Sequence, residues 1–487
     1  MNKVQIVLLG IIFFLTSEPN YTSEINAIKN LISGVKFYEL PNGVKLVHLP
    51  QDHAPTFTSV VSIRVGSVDE PSGKKGIAHF LEHLAFKGTK TVGTKNYELE
   101  LKLLEKAWEL EQKQIKGNLS EKDKKQLKEL RTNLRSVWKT EEFQSKLADL
   151  GGEAINATTS ADFTNYIGKF PSEVAPQWIK LELDRLTNPV PRQFFEEMRV
   201  ILQEREMRVS NNPIGRMYEH FIKLAFPDHP YGYPVIGHIR DLLNLTPQDL
   251  LNFHREHYKA SKLTLSIVGK LDNEVIKRLI IPELRNLPTQ PSDEKKLNSS
   301  ARFSKHLLVR NNFGTRALMV GYKKNIYPNM EDICVSLAGR ILFDSHHGLV
   351  YRELVEKEKI FTSVNQSEAP GVRYPNVLLV VLPLITGTDG EHAWRKFSDF
   401  VELSINNGFS EDEVKIFKGL ILADIAKYFE DRIALAEWLA ESTQTYGNPY
   451  EILIMINQML ALTSHDLRAC ASEVLRTNNS IVLISEK

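Results

Sequence analysis

Leu245-Thr246-Pro247-Gln248-Asp249-Leu250 has an echo in the second half of the chain, Leu462-Thr463-Ser464-His465-Asp466-Leu467. A helix-like run follows each, and then an apolar, strand-like run, 263–268 after the first and 480–484 after the second. Short motifs recur by chance, but shared order and spacing point to a duplicated domain. Between the copies, Pro282, Pro288, Pro291 and the polar residues up to Ser300 read as a linker, placed at 276–302. The length of 487 residues agrees, being too great for one ordinary core.

Strand signals open the first copy. Runs 35–40 and 44–49 flank the turn signature Pro41-Asn42-Gly43. Val61, Ile63 and Val65 alternate with polar residues, as a half-buried strand does. Residues 76–86 then read as a helix. Each copy mixes strands and helices without strict βαβ alternation, so the fold class is α+β: two duplicated domains, each a mostly antiparallel sheet packed with helices, at 30–275 and 303–487. Residues 99–150 read as a charged helical hairpin broken at Gly117-Asn118-Leu119. Ser120 with Asp123 caps its second helix, whose apolar face is Leu127, Leu130, Leu134 and Trp138. The hairpin is expected to pack on itself or on the body.

Composition is that of a globular protein, 42% apolar and 25% charged, with a net charge of +1 that gives no electrostatic reason to expect nucleic acid. A disulfide and two buried free thiols both fit the two cysteines, Cys334 and Cys470. Lys3 precedes a largely apolar run, 4–16, too short to span a bilayer comfortably and suited to a secretory signal at 1–23, cleaved between Thr16 and Ser23. The implied address is the periplasm, across the inner membrane. A retained N-terminal anchor is the alternative, because no A-x-A site follows.

The densest chemistry is His79-Phe80-Leu81-Glu82-His83. Positions i and i+4 share a helix face, so both imidazoles can turn to one ion, and Glu82 projects to the same side as a proton acceptor. The familiar zinc-protease helix reads H-E-x-x-H; here the order is reversed, H-x-x-E-H. A third ligand is needed, and 195–208 offers Glu196, Glu197, Glu204 and Glu206, among which spacing does not choose. His346-His347 diverge as neighbours on a helix or strand, and His229 beside Pro230 reads as structural.

The segment from Gly76 to Thr89, GIAHFLEHLAFKGT, resembles the active-site helix of the pitrilysin/insulinase family of metallopeptidases, in the two-domain branch that includes mitochondrial processing peptidase and bacterial heterodimers. The similarity continues through Gly151-Gly152-Glu153-Ala154-Ile155-Asn156-Ala157-Thr158-Thr159, Val200-Ile201-Leu202-Gln203-Glu204 and His229-Pro230-Tyr231-Gly232. It implies a zinc endopeptidase of unfolded peptides, with one zinc per chain held by His79, His83 and Glu204. By the same resemblance Glu82 is the general base, Glu197 an outer carboxylate that supports the site, and Asn156 and Ala157 part of a substrate-binding edge strand.

Two departures stand out. The gap from His83 to Glu204 is long, and the hairpin, 101–142, accounts for the excess. The family's Arg and Tyr, seven residues apart in the second half, are replaced by Val355 and Thr362. This resembles the zinc-bearing subunit of a heterodimer whose partner chain supplies the Arg/Tyr pair; a homodimer also remains open. The competing reading is a non-catalytic subunit of a peptidase or structural complex.

Overall fold

A computed structural model of the chain describes residues 21–52, 55–289 and 306–486. Most of the expected leader, 1–20, and residues 290–302 of the expected linker lie outside the described residues. The described chain forms two compact units. One contains 38–204 and 235–289; the other contains 21–37, 205–234 and 306–486.

The first sheet is built from β1 (Lys36–Glu39), β2 (Lys45–Pro50), β3 (Thr56–Ile63), β4 (Glu153–Thr159), β5 (Thr164–Pro171) and β6 (Leu263–Gly269), in the spatial order β1-β2-β6-β3-β5-β4. The second is built from β7 (Leu307–Asn311), β8 (Ala317–Lys324), β9 (Asn365–Ala369), β10 (Asn376–Pro383) and β11 (Ser480–Ser485), in the order β7-β11-β8-β10-β9. Without β1, the two orders correspond strand for strand. In each, the last strand enters parallel to one neighbour (β6 with β2, β11 with β7) and antiparallel to the other (β6 with β3, β11 with β8). The fold is α+β and duplicated. The echoed hexapeptides are the caps that deliver those last strands: Thr246 and Thr463 each accept the amide of an Asp three residues on, Asp249 or Asp466, whose carboxylate reaches back in a capping box.

One local expectation needs correcting. Residues 57–63 of β3 are buried on both faces, including Thr58, Ser59 and Ser62, because the strand is central, paired with β5 on one side and β6 on the other. Alternation therefore overstated its exposure.

The hairpin consists of helices Tyr97–Ile115 and Glu121–Val137, the second capped by Ser120 and Asp123. Leu104, Ala107 and Leu110 of the first and Leu127, Leu130 and Leu134 of the second form one buried apolar cluster, which Trp138 and Val190 join. Arg131 braces the pair with a two-pronged contact to Glu111 at 2.6 Å on each prong. A third helix, Glu142–Asp149, leads into β4.

In the second unit a disulfide joins Cys334, on helix Met330–Phe343, to Cys470, on helix Ser464–Val474. Of the two states the sequence allowed, the bridged one is found.

Candidate metal centre

The motif helix is Ile77–Leu84. Gly76 precedes it at φ +95°, where a Cβ would lie 2.8 Å from the Ile236 carbonyl oxygen, so the sharp entry requires glycine. The buried Glu70 carboxylate accepts the first amides, from Gly76 and Ala78, at 2.9 Å each. Burial pushes the Glu70 carboxyl up, against the pull of those amides and of the Lys75 ammonium. Of the eight helix residues only His83 is not buried. Phe80 stacks on Phe194, 4.7 Å between ring centres, at the start of a second helix, Phe194–Arg205. That contact brings together the helix that carries His79 and His83 and the one that carries Glu197 and Glu204.

The second helix resolves the four glutamates. Glu204 Oε2 lies 3.6 Å from His79 Nε2 and 3.5 Å from His83 Nε2. Glu197 Oε2 lies 3.3 Å from His83 Nδ1, on the far side of the same ring. Glu196 instead pairs with the exposed Arg199, and Glu206 is exposed. One atom each from His79, His83 and Glu204 falls within 4.8 Å of the others, the one such cluster among the described residues. Metal–ligand bonds of about 2.0–2.2 Å at tetrahedral angles put donor atoms about 3.3–3.6 Å apart. These separations fit zinc, and the donor set, two imidazoles and a carboxylate, is one that zinc favours.

Electrostatics fit a cation as well. Glu82, Glu197 and Glu204 surround two imidazoles. Burial pulls the His83 ring down, but its bonds to Glu197 and Glu204 and the nearby Glu82 charge outweigh burial and lift it to about 9. Burial raises Glu197, but His83 and Lys87, whose Nζ is 2.7 Å from Oε1, hold it below the ordinary carboxylate range.

β4 forms the edge of the first sheet beside this helix. Asn156 on it is exposed; Ala157 is buried opposite Tyr166. Thr159, at its end, donates a 2.6 Å hydrogen bond to Glu82 Oε2. Thr159, Lys87 and Glu70 escaped the sequence reading of roles: all lie within or near the motif segments, but nothing in their spacing reports a contact made through the fold. In the other unit, Val355 is half-buried in the π-helix Tyr351–Lys357 and Thr362 is exposed, its amide donating to the Pro383 carbonyl at 2.9 Å. His229 is buried, its Nδ1 accepting the Tyr231 amide, as a structural histidine does.

The H-x-x-E-H order is the signature of the inverted class of zinc metallopeptidases, and here that helix faces a glutamate on a second helix within an α+β unit. The chain is also similar to known proteins. Residues 46–114 match Insulinase (Peptidase family M16), and 244–418 match the Peptidase M16 inactive domain. The chain is 26% identical over 332 residues to the zinc protease PqqE of Helicobacter pylori, covering 66% of this chain and 64% of that protein. It is 27% identical over 242 residues to the probable mitochondrial-processing peptidase subunit beta of Schizosaccharomyces pombe, covering 49% and 42%. The match thus spans less than two thirds of either relative. A crystal structure of a protease from Helicobacter pylori superposes with a TM-score of 0.75 at 22% identity, over 93% of this chain and 99% of that one. This chain belongs to the insulinase family, peptidase family M16.

Proposed function

We propose that the chain is a zinc-dependent endopeptidase acting on extended or unfolded peptides. The observation that carries this reading is the convergence of His79, His83 and Glu204 at zinc spacing, with Glu82 buried on the same helix. Zinc, when bound there, would polarise a scissile carbonyl and make water more acidic. Glu82 then accepts the proton and can return it to the leaving amine. The Thr159 hydroxyl fixes one oxygen of that carboxylate. Glu197 orients His83 through Nδ1, leaving Nε2 turned to the metal side. The outer edge of β4, with Asn156 exposed, offers main-chain groups on which a peptide can add as a strand ending beside Glu82.

A second reading modifies the first: activity depends on a partner chain. Val355 and Thr362 offer neither a charged nor a phenolic donor where the family resemblance places its Arg and Tyr. The Schizosaccharomyces pombe relative is named as a subunit. The Cys334–Cys470 bridge supports an oxidising compartment such as the periplasm.

The deciding experiment is hydrolysis of a quenched fluorescent peptide library by the purified chain, with and without chelator, beside Glu82→Gln. Cleavage lost to both perturbations supports a self-sufficient peptidase and rejects the obligate partner. A silent chain that retains about one zinc supports the partner-dependent reading. Cleavage that survives chelator and Glu82→Gln refutes the mechanism.

A further inference from the structure

The hairpin at 97–137 joins the metal centre through one buried arginine. Arg192 is 1% exposed and lies just before the Glu197/Glu204 helix. All of its guanidinium donors are used. Nε and Nη2 fork onto Glu100 of the hairpin at 2.6 and 2.9 Å. Nη1 donates to the carbonyls of Lys87 and Val92 at 2.7 and 2.9 Å, and Nη2 also to that of Thr89 at 3.0 Å. Those carbonyls belong to the loop that leaves the His79/His83 helix. Glu100, wholly buried on the first hairpin helix, also accepts Trp138 Nε1, just past the end of the second, at 3.0 Å. The loop is shaped to the guanidinium: at Gly93, φ +92°, a Cβ would lie 2.3 Å from Arg192 Nη1.

Lys87 connects this knot to the ligands. Its carbonyl is held by Arg192, its Nζ contacts Glu197 Oε1 at 2.7 Å, and Glu197 Oε2 meets His83 Nδ1 at 3.3 Å. We propose that the hairpin is a working part of the metal centre: Glu100, through Arg192 and the Lys87 backbone, positions the Lys87 ammonium and thereby Glu197 and His83. The inference rests on the reading of His79, His83 and Glu204 as a metal site. Glu100, Arg192 and Lys87 are positioning residues, and none of them touches the metal. A planar five-donor fork suits the task of pinning three carbonyls and a carboxylate together; lysine has neither the donors nor the plane.

The test is zinc affinity of the full chain, by competition with a chromophoric chelator at fixed pH, with folding followed by circular dichroism. Glu100→Gln, Arg192→Lys and Lys87→Met are each expected to weaken zinc about 10–100-fold, the range for outer-shell changes. Glu100→Gln combined with Lys87→Met should bind little worse than the weaker single variant, because both cut one path. Glu111→Gln breaks another of the hairpin's ion pairs, to Arg131, which shares no hydrogen-bond partner with Arg192, and should leave zinc affinity within about twofold. Folded Glu100→Gln and Arg192→Lys with wild-type zinc affinity would overturn the proposal. So would full additivity with Lys87→Met. If the two buried variants do not fold, a folded Lys87→Met with unchanged zinc affinity overturns it as well. A wild-type chain that binds no zinc refutes the underlying metal reading, a result distinct from one in which only the variants match the wild type.

Discussion

Reduction of the Cys334–Cys470 bond changes the unfolded chain far more than the folded one. The two cysteines are 136 residues apart in sequence. Closing a loop of that length removes about 17 cal/mol/K from the denatured ensemble, or about 5 kcal/mol at 25 °C, on the chain-entropy account. That compares with a total stability of about 5–15 kcal/mol for a typical domain, so the unit carrying the second sheet should come close to unfolding when reduced. The assay is urea denaturation with and without a phosphine reductant, followed by the fluorescence of Trp394 and Trp438, which lie in that unit. The reduced form should show a lower midpoint and a steeper dependence on urea, because its denatured state is more expanded. Cys334→Ala with Cys470→Ala should reproduce the loss. A change below about 1 kcal/mol, or an unchanged urea slope, would refute an unfolded-state origin and place the effect in native contacts.

Three other outcomes are expected. Glu204→Gln should lower zinc affinity at least about 100-fold and Glu196→Gln should leave it unchanged, by the same chelator competition, since only Glu204 approaches both imidazoles. Leu130→Ala, in the hairpin seam, should cost about 2–5 kcal/mol in chemical denaturation, whereas Leu99→Ala, 44% exposed, should cost under about 0.5 kcal/mol. Burial pushes the His254 ring down to about 4, although Nε2 lies 2.8 Å from the Leu186 carbonyl. The unfolded imidazole, with its pKa near 6.5, takes its proton first, so between about 6.5 and 4 the unfolded state binds more protons and stability falls as pH falls, by at most about 3 kcal/mol; His254→Gln should flatten that fall in urea midpoints measured from pH 7 to 4.5.

Features encoded locally were legible in the sequence. His79, Glu82 and His83 share a helix face by periodicity alone, the Ser120 cap shows in its Asp123 three residues on, and the echoed hexapeptides mark the duplication, though their capping role emerged only in the fold. The hairpin seam at Leu127, Leu130 and Leu134 is likewise a matter of period. Contacts made by packing were not legible. Which glutamate faces the histidines depends on Phe80 stacking against Phe194 across 114 residues, which no spacing rule reports. The Arg192–Glu100 and Thr159–Glu82 contacts likewise join residues 92 and 77 apart in sequence. The placement of 205–234 was hidden for the same reason: helix Pro213–Ala225 packs on β8 and β11, and its amphipathic pattern says only that it packs on something.

The duplication gives the last of these contrasts a mechanical meaning. In each unit a helix follows the central strand and meets the helix of the echoed cap: Ile77–Leu84 meets Pro247–His257, and Met330–Phe343 meets Ser464–Val474. The first carries His79 and His83; the second carries no histidine, and its Cys334 is tied to Cys470 while its Asp332 pairs with the buried Lys324. On the proposed metal reading, a three-ligand site and a disulfide are both cross-links, so equivalent helices would be held by different coordinate and covalent ties. Removing each tie should loosen its own copy. In hydrogen exchange, chelator should lower protection across 77–86 and 194–205 and spare 330–343 and 464–474; reductant should do the reverse. If either treatment loosened both sets of helices equally, the two ties would not be independent, and the picture of one fold held in two different ways would be wrong.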